Sequence, residues 1–443
     1  MASDTSKSLR NLVIYQVWIR NHGENGTFKG VQADLQRIKD LGADVIWLMP
    51  VQPIGEINRK GSLGSPYAIK DFRGINPEFG TLEDFRELID AIHDMGMKTM
   101  LDIVFNHTSP DSILREKHPD YFYKTDEGKY GNRLGEWADV IDLDYSNLEL
   151  WDEQIDVLKY WVGLGIDGFR CDVAPIVPIP FWSKARQEVS KIKDDIIWLA
   201  ESGHPGTVEG IRNMGIDYVS DGENYVAFDI TYEYDSYPHL INYLEGRASL
   251  HDYLERLRIQ EGIYPENYAK LRFIENHDKP RAKALIHNES DLRMHMAFNS
   301  FLKGPMLIYA GQEAKAEHAP SLFDTDIIRI TELDEEFVQF YQRLTSIKKN
   351  EALAHGLYRI RDTDVSGVVF TTYEYQDSLI AGVFNIEQKC GHLNLGLKDG
   401  VYKNLIDHAE VVISEGNLAL GGKPVIFEIK EVAQEAIEKD FYV

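Results

Sequence analysis

Apolar residues along this chain gather into short continuous runs separated by segments of helical period. The runs fall at 12–17, 44–48, 98–104, 168–171, 196–200, 216–219, 271–275 and 305–309. Helical patterns occupy 31–41, 82–95, 150–164, 181–193, 292–302 and 335–348. Strands that are apolar at every position are buried on both faces, and alternation with amphipathic helices predicts a parallel sheet covered by helices. Eight such units point to a closed (β/α)8 TIM barrel rather than an open doubly wound sheet. No G-x-G-x-x-G follows the first run, which argues against a dinucleotide site.

Two stretches break the alternation. Between Val104 and Leu150 the text is polar and aromatic, with Tyr121-Phe122-Tyr123, Glu136-Trp137 and Asp142-Leu143-Asp144-Tyr145. A connection this long in a compact protein is usually functional. It reads as a small subdomain, 108–149, inserted after strand three, which leaves 1–107 and 150–350 to the barrel. Beyond residue 351 alternating segments with turn signals, such as 367–373, 379–384 and 424–429, predict a C-terminal antiparallel β-sandwich over 351–443.

Ionisable residues stand where buried strands should be apolar. Asp102 interrupts the third run, Asp172 ends the fourth, Glu201 ends the fifth and Asp278 follows the seventh. In a TIM barrel the C-terminal strand ends converge on one mouth, where chemistry sits. A single carboxylate after a strand can equally cap a helix or pair with a buried arginine. Four on one face, each costing several kcal/mol, roughly, if unpaired, point to function. Arg170 and Asp172, two apart on one strand, share a face, so the guanidinium favours an ionised, oriented Asp172. A plain salt bridge is the competing reading. Glu201 follows bulky apolar residues that include Trp198, and desolvation there is expected to keep it protonated. One held anion and one proton donor make a two-carboxylate glycosidase. Asp278 is a third carboxylate for sugar hydroxyls, and His107 and His277 flank the carboxylate motifs.

Charge and composition narrow the partners. The chain has 443 residues, 43% of them apolar, and a formal net charge of -25 from 47 basic and 72 acidic side chains. So acidic a surface repels nucleic acid and anionic lipid but tolerates a neutral sugar. No run of about 18 apolar residues predicts a membrane span. Low cysteine use, Cys171 and Cys390, and a polar start without an apolar signal core lead to an expectation of cytoplasmic residence and no disulfide. Oligomeric state is not readable.

These segments resemble the α-amylase family of glycoside hydrolases, family 13. The similar motifs are Asp102-Ile-Val-Phe-Asn-His107, Gly168-Phe-Arg-Cys-Asp172, Trp198-Leu-Ala-Glu201, Phe273-Ile-Glu-Asn-His-Asp278 and Val140-Ile-Asp-Leu-Asp144, in family order between about residues 12 and 350. The resemblance implies a retaining mechanism on α-linked glucose, with Asp172 as nucleophile, Glu201 as acid/base and Asp278 as transition-state stabiliser. It implies substrate contacts from Tyr67, Asp102, His107, Arg170, Asn276 and His277, with Tyr67 stacking on the sugar. The implied partner is an α-glucan or maltooligosaccharide, cut at α-1,4 bonds.

The chain also departs from the family. Many α-amylases carry Lys-His shortly after the nucleophile, where this chain reads Asp172-Val-Ala-Pro175. That pair's histidine helps complete a calcium site. Asn106 matches another family ligand, and Asp142 or Asp144 could add oxygens, so no cofactor is required and Ca²⁺ stays a possible occupant. Val173 after the nucleophile also occurs in members that cut α-1,6 bonds. The alternatives are therefore an oligo-1,6-glucosidase or 4-α-glucanotransferase, a non-catalytic sugar-binding barrel, and a barrel whose four carboxylates hold Mg²⁺.

Overall fold

The computed structural model describes residues 4–135, 137–330 and 333–430. The expected end of the sandwich, 431–443, and Glu136 of the inserted segment lie outside the described residues. Eight parallel strands form the barrel: β1 (Val13–Val17), β2 (Val45–Leu48), β3 (Lys98–Ile103), β4 (Gly168–Cys171), β5 (Ile197–Ala200), β6 (Ile230–Tyr232), β7 (Lys270–Leu271) and β8 (Met306–Tyr309). They pair in chain order, β8 returns to β1, and a bridge from Arg272 to Met306 joins the remaining seam.

Local chemistry sets the helices between them. Thr81 and Asp84 form a reciprocal capping box at the start of the helix Leu82–Asp94, and Thr27 caps the helix Phe28–Asp40 through Gly30 N–H. Their apolar stripes, Val31, Leu35 and Ile38 in one and Phe85, Leu88 and Ile92 in the other, are buried against the barrel wall.

Strand alternation divides the barrel's own side chains. Ile14, Val45, Met100, Ile197, Leu199, Ile230 and Leu271 fill the interior. The residues that alternate with them along the strands, such as Phe169 and Trp198, face the helices instead. Gly168 is required inside, because a Cβ there would lie 3.0 Å from Ile197 O and 3.3 Å from Met100 Cε.

One strand differs from the sequence reading. Residues 216–219 form no strand, and the sixth strand is Ile230–Tyr232. Only Tyr218 of that run is buried, in a satellite cluster with Val208 and Ile211, so its apolar character serves a short helix on the rim.

The inserted segment folds over the barrel mouth, with His107–Thr108 pairing antiparallel with Ile141–Asp142. The C-terminal unit has two four-stranded sheets. One contains β9 (Leu357–Arg361), β10 (Val369–Tyr375), β11 (Ser378–Phe384) and β16 (Val425–Lys430), and the other β12 (His392–Asn394), β13 (Gly400–Lys403), β14 (Glu410–Ser414) and β15 (Asn417–Ala419). Phe370, Leu379 and Ala381 pack between the sheets against Leu393, Ile413 and Leu418. The opposite face of the first sheet, with Tyr373 and Phe384, meets Phe298 and Phe301 of the barrel. Among the described residues both cysteines are free, and no helix is long and apolar enough to cross a membrane.

Candidate active site

Strand register assembles the mouth. Asp102 and Arg170 are paired neighbours on β3 and β4. One layer higher, Asp172 N–H donates to Ile103 O and Glu201 N–H to Cys171 O, which sets the two carboxylates side by side just past the strand ends.

Arg170 organises them. Its Nη1 donates to Asp102 Oδ1 at 2.9 Å and to Asp172 Oδ1 at 2.8 Å, and its Nη2 lies 2.9 Å from Glu201 Oε2. Its Nε donates to Tyr232 OH at 3.1 Å. The rings of Trp47, Tyr67 and Tyr232 enclose the guanidinium, with centroids 5.5, 5.7 and 5.4 Å away. Cation–π attraction and exclusion of water hold this buried charge in place.

A second set of bonds orients the histidines. Gln16 Nε2 donates to His277 Nδ1 at 2.7 Å, so Nε2 carries the ring proton and gives it to Tyr67 OH at 2.7 Å. Tyr67 OH in turn donates to Asp102 Oδ2 at 3.1 Å. The chain of donors runs one way, which fixes the tautomer. Burial pulls His277 down to about 3 and His107 down to about 4, so both are neutral near pH 7. His107 receives Asn106 Nδ2 at 3.1 Å on its Nδ1 and places Nε2 4.0 Å from Asp172 Oδ2.

The mouth is short of positive charge. Burial pushes Asp102 up to about 7 and pushes Asp172 well above the usual carboxylate range. Arg170 opposes both shifts, and the neighbouring Glu201 carboxylate reinforces them. Burial also raises Asp278. One guanidinium thus faces Asp102 and Asp172, and burial of both carboxyls works against the ionised form that it favours. Arg170 favours the ionised form of Asp172 and orients it, as its place two residues away on the same strand predicts, while burial opposes ionisation.

The expected apolar pocket for Glu201 is a second difference. Trp198 lies three residues earlier on the outward face of β5 and packs on Phe169. Glu201 instead faces the guanidinium and accepts the Val173 N–H at 2.9 Å. Val173 adopts a left-handed conformation, φ 43° and ψ 39°, which is strained for a β-branched residue and aims its N–H back at Glu201.

The remaining candidates separate by depth. Asp102 and Arg170 are fully buried beneath the mouth. Asn276 is buried too, with Oδ1 accepting Asp278 N–H at 2.9 Å and Nδ2 facing Tyr234 OH at 3.4 Å, so it orients its neighbours. Asp278 stands at the rim with its side chain 37% exposed and its Oδ2 3.2 Å from His277 Nε2. Tyr67 stacks on His277 at 5.7 Å. Asn106, at the base of the inserted segment, faces Asp142, which accepts the Arg133 backbone N–H at 2.7 Å, and Asp144 lies 3.9 Å from the Arg133 guanidinium. Gln16, Trp47 and Tyr232 went unread in the sequence. Gln16 carried the same signal as Asp102, a polar residue inside an apolar run. Tyr232 was hidden by the misplaced sixth strand.

The family model described as the α-amylase catalytic domain matches residues 5–135 and 126–353, and that of the bacterial α-amylase C-terminal domain matches 359–427. An α-amylase structure from Lactobacillus plantarum is 44% identical, with a TM-score of 0.93, covering 96% of this chain and 100% of that one. A noncanonic maltogenic α-amylase from Thermotoga neapolitana is 31% identical, with a TM-score of 0.86, covering 96% and 99%. Among curated proteins, an α-1,4-glucan:maltose-1-phosphate maltosyltransferase from Cereibacter sphaeroides is 30% identical over 65% of this chain, which spans about half (49%) of its length. A probable oligo-1,6-glucosidase 3 from Bacillus subtilis is 27% identical over 74% of this chain and 69% of its own.

Proposed function

The chain belongs to the α-amylase family of glycoside hydrolases, and from that premise we propose that it is a retaining hydrolase of α-1,4 glucosidic bonds in maltodextrins or starch. The observation that carries this reading is the single guanidinium of Arg170 in contact with both Asp172 and Glu201. It makes the two carboxyls neighbours, the arrangement suited to a covalent intermediate rather than to an intervening water. Asp172 attacks the anomeric carbon and forms a glycosyl ester while Glu201 protonates the leaving oxygen. Glu201, now anionic, takes a proton from water, which attacks the anomeric carbon of the ester and releases the Asp172 carboxylate. Asp278 at the rim and the neutral His107 and His277 bind sugar hydroxyls.

Cleavage of α-1,6 bonds is the second reading, favoured by Val173 next to the nucleophile and by the Bacillus subtilis relative's name. Transfer to an acceptor sugar is a third outcome of the same intermediate, as in the maltosyltransferase relatives' names. A product time course on maltoheptaose, isomaltotriose and panose, with the anomer monitored, tests these. Shorter maltooligosaccharides released first as α-anomers are expected. Glucose from isomaltotriose with maltoheptaose untouched would overturn the α-1,4 assignment, and a first-formed β-anomer would overturn the retaining one.

A further inference from the structure

The oxygens that the family resemblance offers to calcium do not fit that ion. Calcium takes six to eight oxygens at roughly 2.3–2.6 Å. Here a guanidinium stands among them. Arg133 Nη1 donates to Leu143 O at 3.1 Å and lies 3.5 Å from Asp142 Oδ2, and Nη2 lies 3.9 Å from Asp144 Oδ1. The Arg133 backbone N–H donates to the same Asp142 Oδ2 at 2.7 Å. The guanidinium is stacked on Tyr123, 4.6 Å from its centroid, which fixes its plane. Asn106 turns its amide nitrogen, not its oxygen, towards Asp142 Oδ1 at 3.5 Å. Among the described residues no group of three or more His, Cys, Asp or Glu side chains is arranged to hold a metal.

We propose that Arg133 does structurally what a bound calcium ion would do here: it pins the strand Ile141–Asp142 of the inserted segment and thereby positions His107 at the nucleophile. The path is short. Asp142 is the register partner of His107, and Leu143 N–H donates to Asn106 O at 2.9 Å. Asn106 Nδ2 orients the His107 ring, whose Nε2 faces Asp172. A tethered guanidinium supplies positive charge and directed donors together, and it repels a divalent cation from the same oxygens. Arg133 is a positioning residue, since it touches none of the reacting groups.

The test uses the whole chain, as wild type and as Arg133→Met, each after chelation with EDTA and again with millimolar calcium. Melting temperature is read without substrate, so this arm is independent of the reaction proposed above. Wild-type melting and activity are expected to be indifferent to both treatments. Arg133→Met is expected to melt about 3 °C or more lower, to lose about tenfold in kcat/KM well below melting, and to regain part of both with calcium, which then reaches the vacated oxygens. Arg133→Lys keeps the charge and is expected to fall between the two. Wild-type melting that drops on chelation and recovers with calcium would overturn the proposal. So would Arg133→Met with wild-type melting and kcat/KM.

Discussion

Two charged clusters sit on the same barrel, and they are built on opposite rules. In the mouth, one guanidinium faces Asp102, Asp172 and Glu201, and Asp278 stands nearby at the rim. On the outer flank of β6 and β7, Lys270 and Arg272 face Asp221, Glu233 and Asp235. Lys270 pairs with Asp221 and lies 3.3 Å from Asp235, and it donates to Tyr232 O at 3.1 Å. Arg272 holds Glu233 at 3.1 Å and donates to Gln260 Oε1 and Lys303 O, both at 2.8 Å. Neutral donors satisfy the carboxylates further: Phe273 N–H on Glu233, and Tyr264 OH and Gln260 on Asp235. The flank is close to charge balance and sealed, whereas the mouth is anionic and open. Buried charge serves structure where cations and neutral donors together cover every carboxylate. It serves chemistry where one cation is left to face several carboxylates that a substrate can reach.

That contrast can be broken from either side. Asp172→Asn should cut turnover of maltoheptaose by ~10⁴-fold while leaving melting unchanged or higher, because a crowded carboxylate has been removed. A rate equal to wild type would end the catalytic assignment. Lys270→Met should do the reverse. It strands Asp221 and Asp235 without their cation and should cost about 3–5 kcal/mol in urea unfolding, with kcat of the folded fraction preserved. If kcat collapsed at temperatures well below melting, the flank would be functional after all.

The mouth's titrations give smaller effects of opposite sign. Asp102 has its folded value raised from 3.8 to about 7, so the folded state holds a proton that the unfolded chain releases. Its contribution to stability therefore declines as pH rises across that interval. His277 is depressed from 6.5 to about 3, so its contribution is lost as pH falls through that interval. Urea unfolding against pH should show a flatter approach to pH 7 in Asp102→Asn and a flatter approach to pH 3 in His277→Phe. Unchanged slopes in both would mean that these groups are not shifted. Smallest of all is Val173→Gly, which relieves left-handed strain and should gain under about 1 kcal/mol. The N–H to Glu201 survives, so kcat should hold. A large loss of kcat would assign the role to the side chain instead.

Much of the mouth was legible because ionisable residues in apolar runs are conspicuous, as Asp102, Asp172 and Glu201 are. Alternation alone placed Arg170 with Asp172, and it should also have sent Trp198 away from Glu201. The sixth strand was missed because Ile230-Thr-Tyr is only three residues long, between Asp229 and Glu233, while the run at 216–219 was more apolar. The flank cluster was invisible for a related reason. Lys270 falls just before the apolar run at 271–275, and its partners come from other elements. Arg133 was unreadable because its contacts depend on how the inserted segment folds back, which periodicity does not encode.

The first sheet of the C-terminal unit is a party wall. Phe370 and Ala381 serve one room and Tyr373 and Phe384 the other, and Tyr373 OH donates to Phe301 O at 2.9 Å across the partition. Gly382 lets the Phe301 ring lie where a Cβ would stand 2.8 Å from it. Neither room has an outer surface to fall back on there, so the two halves of the molecule cannot be swapped or trimmed like beads on a string.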